Sequence, residues 1–151
     1  MLDWRPDIVE VGSPYLMPFI VRGILASSPL PTVCFYHSDY PDSYVRPYAR
    51  KVFPRRIADG LAGFAGEHVR RGYGGMTAVF AASRCMLRKL SDLGLRRLFH
   101  TPLGVDADLF SPSRRSERFR REAGAPEGGI LVLYMARFHW EKGLDMLMRS
   151  Y

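Results

Sequence analysis

Along the chain, apolar positions gather into short, nearly unbroken runs separated by stretches with helical spacing. Thr32–His37, Met76–Ala82 and Ile130–Phe138 are the clearest runs. Alternating apolar and polar residues would mark a sheet wet on one side, whereas continuous runs predict parallel strands covered on both faces. Asp7–Gly12 is a fourth strand candidate and Arg97–Thr101 a weaker fifth. Ser83 is placed as the N-cap of a helix through Leu93 that carries Leu87 and Leu90 on one face and ends at Gly94. Ser116–Ala123 reads as a short arginine-rich helix stopped by Gly124, and Leu144, Leu147, Met148 and Tyr151 form the stripe of a helix after Gly143. Strands alternating with helices predict βαβ units in a doubly wound parallel α/β sheet. The turn-rich stretch from Pro102 to Ser113 is the expected break between two units.

Composition narrows the class. The chain has 151 residues, 47% of them hydrophobic, which excludes disorder and supports a core without disulfides. Cys34 and Cys85 are its only cysteines, too few for a disulfide framework or a thiolate zinc site, so a reducing, cytoplasmic setting is expected. No run approaches the length of a membrane span, and Met1-Leu2-Asp3-Trp4-Arg5-Pro6 lacks a signal-peptide core. Lys and Arg total 22 against 15 Asp and Glu, a net charge of +7 that favours an anionic partner. Much of it lies in Arg46–Arg71 and Arg114–Arg121, either of which could equally be a solvated face.

Ligands of parallel sheets bind beyond the carboxyl ends of the strands, and three places qualify. They are His37-Ser38-Asp39, Ser83, and Arg137 through Gly143. In the last, a short loop can fold Arg137 and Lys142 around one phosphate or diphosphate beside the start of a helix. The plain alternative is that both cations pair with Glu141 and solvent. Neither the dinucleotide fingerprint nor the P-loop pattern occurs.

Three further stretches carry a resemblance: Leu103-Gly104-Val105-Asp106, Leu109-Phe110-Ser111-Pro112, and Tyr134-Met135-Ala136-Arg137 running on through Glu141-Lys142-Gly143-Leu144-Asp145. Their order and spacing resemble the retaining nucleotide-sugar glycosyltransferases of the GT-B fold, family 4 or group 1, with Ala136 where that family usually has glycine. His37 and Ala81-Ala82-Ser83 resemble its N-terminal domain, so the likeness spans nearly the whole chain. The resemblance implies Rossmann-like parallel sheets, incomplete at both ends. Residues 1–101 would be a partial N-terminal, acceptor-side domain, 102–113 an interdomain hinge containing Gly104, Val105 and Asp106, and 114–151 the start of the nucleotide-sugar-binding domain. Arg137 and Lys142 would grip the donor diphosphate, and His37 would be the catalytic-side residue beside the transferred sugar. No cofactor or metal is implied, and His68, His100 and His139 receive no role.

The implied reaction is hexosyl transfer, mannosyl by the look of His37-Ser38-Asp39-Tyr40-Pro41, from a nucleoside diphosphate sugar to a lipid or glycan acceptor with retention. The family's glycine-rich loop and paired-glutamate motif are not found in this sequence, so the chain reads as a fragment whose unfinished second domain exposes apolar surface and favours association. Peripheral contact with the inner membrane face through Arg46–Arg71 is compatible with this reading. The competing reading is a basic module that binds nucleic acid or an anionic membrane. Tyr44, Tyr48, Phe53 and Phe64 interleave with the first basic run as base stacking requires, though at helical spacing they read more readily as core.

Overall fold

The computed structural model describes residues 5–150, and these separate into two compact units that meet in sequence between Leu103 and Gly104. Unit 1 is α/β. Its strands are β1 (Val9–Glu10), β2 (Thr32–Phe35), β3 (Ala78–Ala81) and β4 (Leu98–His100), all parallel and in the order β1-β2-β3-β4. Between them run α1 (Met17–Ile24), α2 (Arg46–Ala49), α3 (Arg55–Tyr73) and α4 (Arg84–Asp92). Each expected strand of this half is present and shorter than its apolar run, because the residues beyond it leave the ladder for the loops.

The strand order decides where the helices go. Right-handed crossovers that always step in one direction put every connecting helix on the same face. Accordingly Val21 of α1, Val69 and Tyr73 of α3 and Leu90 of α4 form one buried cluster with Cys34, Tyr36, Val79 and Ala81. The expected double winding is therefore not found among the described residues. The opposite face carries Phe35, Phe80 and Phe99, which the register aligns across three neighbouring strands. The Phe80 and Phe99 rings lie 5.7 Å apart, and Phe99 is exposed.

Small residues line the buried face of α3, which packs chiefly on the π-helical turn at Tyr40–Val45 and on α2. Ala58, Ala62, Ala65 and Val69 recur at i, i+4, i+7 and i+11 and are buried. At Gly72 a Cβ would come within 3.3 Å of Pro18, so the absent side chain lets α1 and α3 approach. Helix α4 begins as the sequence predicts, with Ser83 Oγ accepting from Met86 N at 3.1 Å, and ends at Gly94 with φ +86°.

Unit 2 contains a 3-10 turn at Pro112–Arg114, α5 (Glu117–Glu122) capped by Ser116, a 3-10 turn at Trp140–Lys142 and α6 (Leu144–Ser150). The strand expected at Ile130–Phe138 does not form. A lone apolar run cannot satisfy its backbone without a neighbouring strand, and the described residues of this unit supply none. Ile130 and Met135 are consequently 89% and 86% exposed. Leu147 and Met148 of the expected stripe line a hollow of about 490 Å³ with Ile130, Leu131, Val132 and Tyr134. Tyr151, the last residue of that stripe, lies outside the described residues.

Candidate functional site

At the carboxyl end of unit 1's sheet, where β1 and β2 release the chain into loops, there is a cavity of about 200 Å³. The loop after β1 contributes Gly12 through Tyr15, and β2 runs out through Tyr36, His37 and Ser38. A single π-helical turn at Tyr40–Val45 then carries Tyr40 and Tyr44 to the same wall, and Tyr73 closes it from the end of α3. Five tyrosines and one histidine thus line a small hollow. Tyr36 and Tyr73 are buried, and the Tyr36 hydroxyl donates to Asp39 Oδ1 at 3.5 Å.

The aromatic groups hold one another in place. Tyr15 meets Tyr40 edge-on at 4.9 Å, and Tyr36 meets Tyr73 edge-on at 6.1 Å. The Tyr36 backbone N–H donates to Phe80 O at 2.8 Å, which extends the β2–β3 ladder one residue beyond the strand. Burial first, then the neighbouring Asp39 charge, pushes the Tyr36 hydroxyl well above the ordinary phenol range. Burial does the same to Tyr73. Both stay protonated donors at neutral pH. His37 is exposed, and its ring stacks on Phe35 at 4.8 Å with 29° between the planes. His68 reaches the cavity wall from behind, its Nε2 lying 2.8 Å from Tyr15 O.

The loop that carries Tyr40 and Tyr44 is fixed by ionic contacts. Lys89 of α4 donates to both Asp39 and Asp42, and Arg46 donates to Asp42 at 2.7 Å and also to Asp59. Burial acts to raise the Asp42 carboxyl, but hydrogen bonds from Lys89 and Arg46 outweigh it and hold the group below its ordinary range. Spacing alone gave no sign of Lys89, Tyr15, Tyr36 or Tyr73, because what unites them is the sheet register and the crossovers. Ser83, the second strand-end candidate, lines none of this: its hydroxyl is occupied by the Met86 amide at the start of α4.

In unit 2, Arg137 is exposed in an irregular segment. The Lys142 ammonium stands 4.0 Å from Glu141 Oε1, and the Lys142 carbonyl accepts from the Tyr134 hydroxyl at 2.5 Å. Gly143, with φ +65°, turns the chain into α6. Both cations are open to solvent on a segment that a bound anion could organise. Asp106, of the expected hinge, accepts at Oδ1 from the amides of Asp108 at 3.1 Å and Leu109 at 2.9 Å, a side-chain-closed turn directly after the division between the units. Among the described residues there is no group of three or more His, Cys, Asp or Glu that could hold a metal ion.

No family model matches the sequence. The chain is 31% identical over 144 residues to a GDP-mannose-dependent alpha-mannosyltransferase of Mycobacterium tuberculosis (strain CDC 1551 / Oshkosh), an alignment covering 94% of this chain and 35% of that protein. It is 23% identical over 145 residues to a protein of the same description from Corynebacterium glutamicum, covering 96% of this chain and 33% of that protein. The chain thus spans about a third of the length of the curated relatives it matches. Both alignments run over nearly the whole of this chain, whose unit 1 is an α/β unit with a four-stranded parallel sheet.

Proposed function

We propose that the chain is part of a retaining GT-B glycosyltransferase that moves a hexosyl group, mannosyl in particular, from a nucleoside diphosphate sugar to a lipid or glycan acceptor. The observation that carries this reading is the tyrosine-lined cavity at the strand ends of unit 1, in a sequence similar to two mannosyltransferases that use GDP-mannose. Residues 1–101 then form part of the acceptor-side domain, 102–113 the hinge, and 114–151 the start of the donor-binding domain. The basic-module alternative gains no support from these relatives.

In the proposed reaction the bond from the anomeric carbon to the diphosphate oxygen breaks and a bond to the acceptor oxygen forms on the same face. The acceptor hydroxyl loses its proton, and the nucleoside diphosphate leaves. Negative charge grows on that leaving group while the sugar becomes oxocarbenium-like, so Arg137 and Lys142 stabilise the transition state more than the ground state. Two charged hydrogen bonds at roughly 1.5–3 kcal/mol each fall short of the roughly 8 kcal/mol or more that enzymes supply. Groups other than these two cations must therefore contribute.

Titration of the chain with GDP-mannose, GDP and free mannose tests the reading. Binding of GDP-mannose and GDP is expected, weakened about tenfold or more by Arg137→Ala or Lys142→Ala. Affinity unchanged in both variants, or no binding of either nucleotide by the folded chain, would refute it.

A further inference from the structure

Helix α3 carries more than its row of small residues. Phe53, in the turn before it, and Phe64 are exposed, Phe64 by 74%, so the expectation that these two are core is corrected. One turn beyond Phe64, His68 is half-buried, and its ring lies 5.0 Å from that of Phe19 in α1, tilted by 49°. The His68 Nε2 stands 2.8 Å from the carbonyl oxygen of Tyr15, 53 residues away in sequence. A carbonyl only accepts, so Nε2 carries the proton and donates it to this bond. Residues 12–15 form the wall of the cavity that follows β1, beyond the last ladder bond from Val11 N to Val33 O at 2.8 Å. The Tyr15 amide donates to Ser13 Oγ at 3.4 Å, a bond within the loop itself. Among the described residues, the bond from His68 is the one hydrogen bond that reaches residues 12–15 from another element.

We propose that His68 is a positioning residue, which holds the loop after β1 in the place where the cavity receives the hexosyl group of the donor. The inference rests on the transferase reading for its ligand. His68 does not line the cavity and acts through Tyr15, whose carbonyl it clamps while the Tyr15 ring stands edge-on to Tyr40 at 4.9 Å. Ordering a free loop at the moment of binding costs conformational entropy, and a clamp made beforehand removes that cost from the binding step. This gives a role to a histidine whose position in the sequence gave none.

Two variants of the chain, titrated with GDP-mannose and with GDP, test the role. His68→Gln places an amide N–H near the position of Nε2 and keeps the bond, whereas His68→Phe keeps a ring against Phe19 and removes the donor. The parent and His68→Gln are expected to favour GDP-mannose over GDP by the same factor. His68→Phe should lose about fivefold of that preference with its affinity for GDP unchanged. A residue that served stability alone would lower the melting temperature without moving the preference. Preference kept in His68→Phe, or lost equally in both variants, would overturn the role and leave the transferase reading standing. A parent that binds GDP-mannose and GDP equally would also remove this role alone, and binding of neither nucleotide would remove the transferase reading with it.

Discussion

Lys89 and Asp39, fifty residues apart in sequence, are joined by a hydrogen-bonded ion pair that ties α4 to the loop leaving β2. The Asp39 side chain is only 15% exposed, and the same ammonium also holds Asp42. Lys89 is therefore a strut for the wall that presents Tyr40 and Tyr44. Replacing it with Met removes the charge from beside two carboxylates. Lys89→Met is expected to cost about 1–3 kcal/mol, discounted because Asp42 is partly in water. Urea unfolding checks this: the midpoint should fall with the slope unchanged. A midpoint equal to that of the parent would show that the pair contributes nothing.

Acid should weaken unit 1 in a defined window. The guanidinium groups of Arg70 and Arg71 hold the Glu67 carboxyl down to about 2 from an ordinary 4.5. A carboxyl depressed in the folded state contributes stability above its unfolded value, and that contribution is lost as pH falls through the folded value. Asp42 and Asp59, also depressed, add in the same direction. Melting temperature is expected to decline between about pH 5 and pH 2, and Glu67→Gln should make the decline shallower. Parallel curves for the two proteins would remove Glu67 from the account.

The two cysteines should differ in reactivity. Burial, with a smaller contribution from Glu10, pushes the Cys34 thiol up to about 12, while Cys85 is exposed on α4. A thiol reagent applied to the native chain should label Cys85 alone, and Cys34 should react only once denaturant opens the core. Early modification of Cys34, mapped by mass spectrometry, would contradict its burial.

Ser83 separates capping from chemistry. Its hydroxyl closes the first turn of α4, so Ser83→Ala is expected to lower stability by about 1 kcal/mol and to leave nucleotide-sugar affinity unchanged. Lost affinity at unchanged stability would return Ser83 to the list of ligand contacts.

Periodicity made unit 1 readable. The runs at Thr32, Met76 and Arg97 became β2, β3 and β4, and the Ser83 cap and Gly94 stop bracket α4 as expected. Helices α1 and α3 were not marked out residue by residue, since each carries apolar residues on two faces and so blurs the single stripe that signals an amphipathic helix. Ile130–Phe138 misled for a different reason: apolar continuity records only a demand for burial, and a strand needs a second strand to answer it. His37 was legible from its position after a strand. The tyrosines around it were not, because Tyr15, Tyr36 and Tyr73 meet only after two crossovers have been made.

The consecutive strand order also sets a sequence of events in folding. Paired residues Val9 and Thr32 of β1–β2, and Val79 and Leu98 of β3–β4, are separated by short excursions, whereas Val33 and Ala78 of β2–β3 are joined across the π-helical turn, α2 and the whole of α3. Loop-closure entropy rises with that separation, so the central ladder closes last. Pulsed hydrogen exchange should accordingly find the Tyr36 amide, bonded to Phe80, protected after the Val79 amide, bonded to Arg97. The reverse order would refute it. Because Tyr36 and Tyr73 flank that longest closure, the cavity comes into being only when the two halves of the sheet zip together, and its completion reports the completion of the unit.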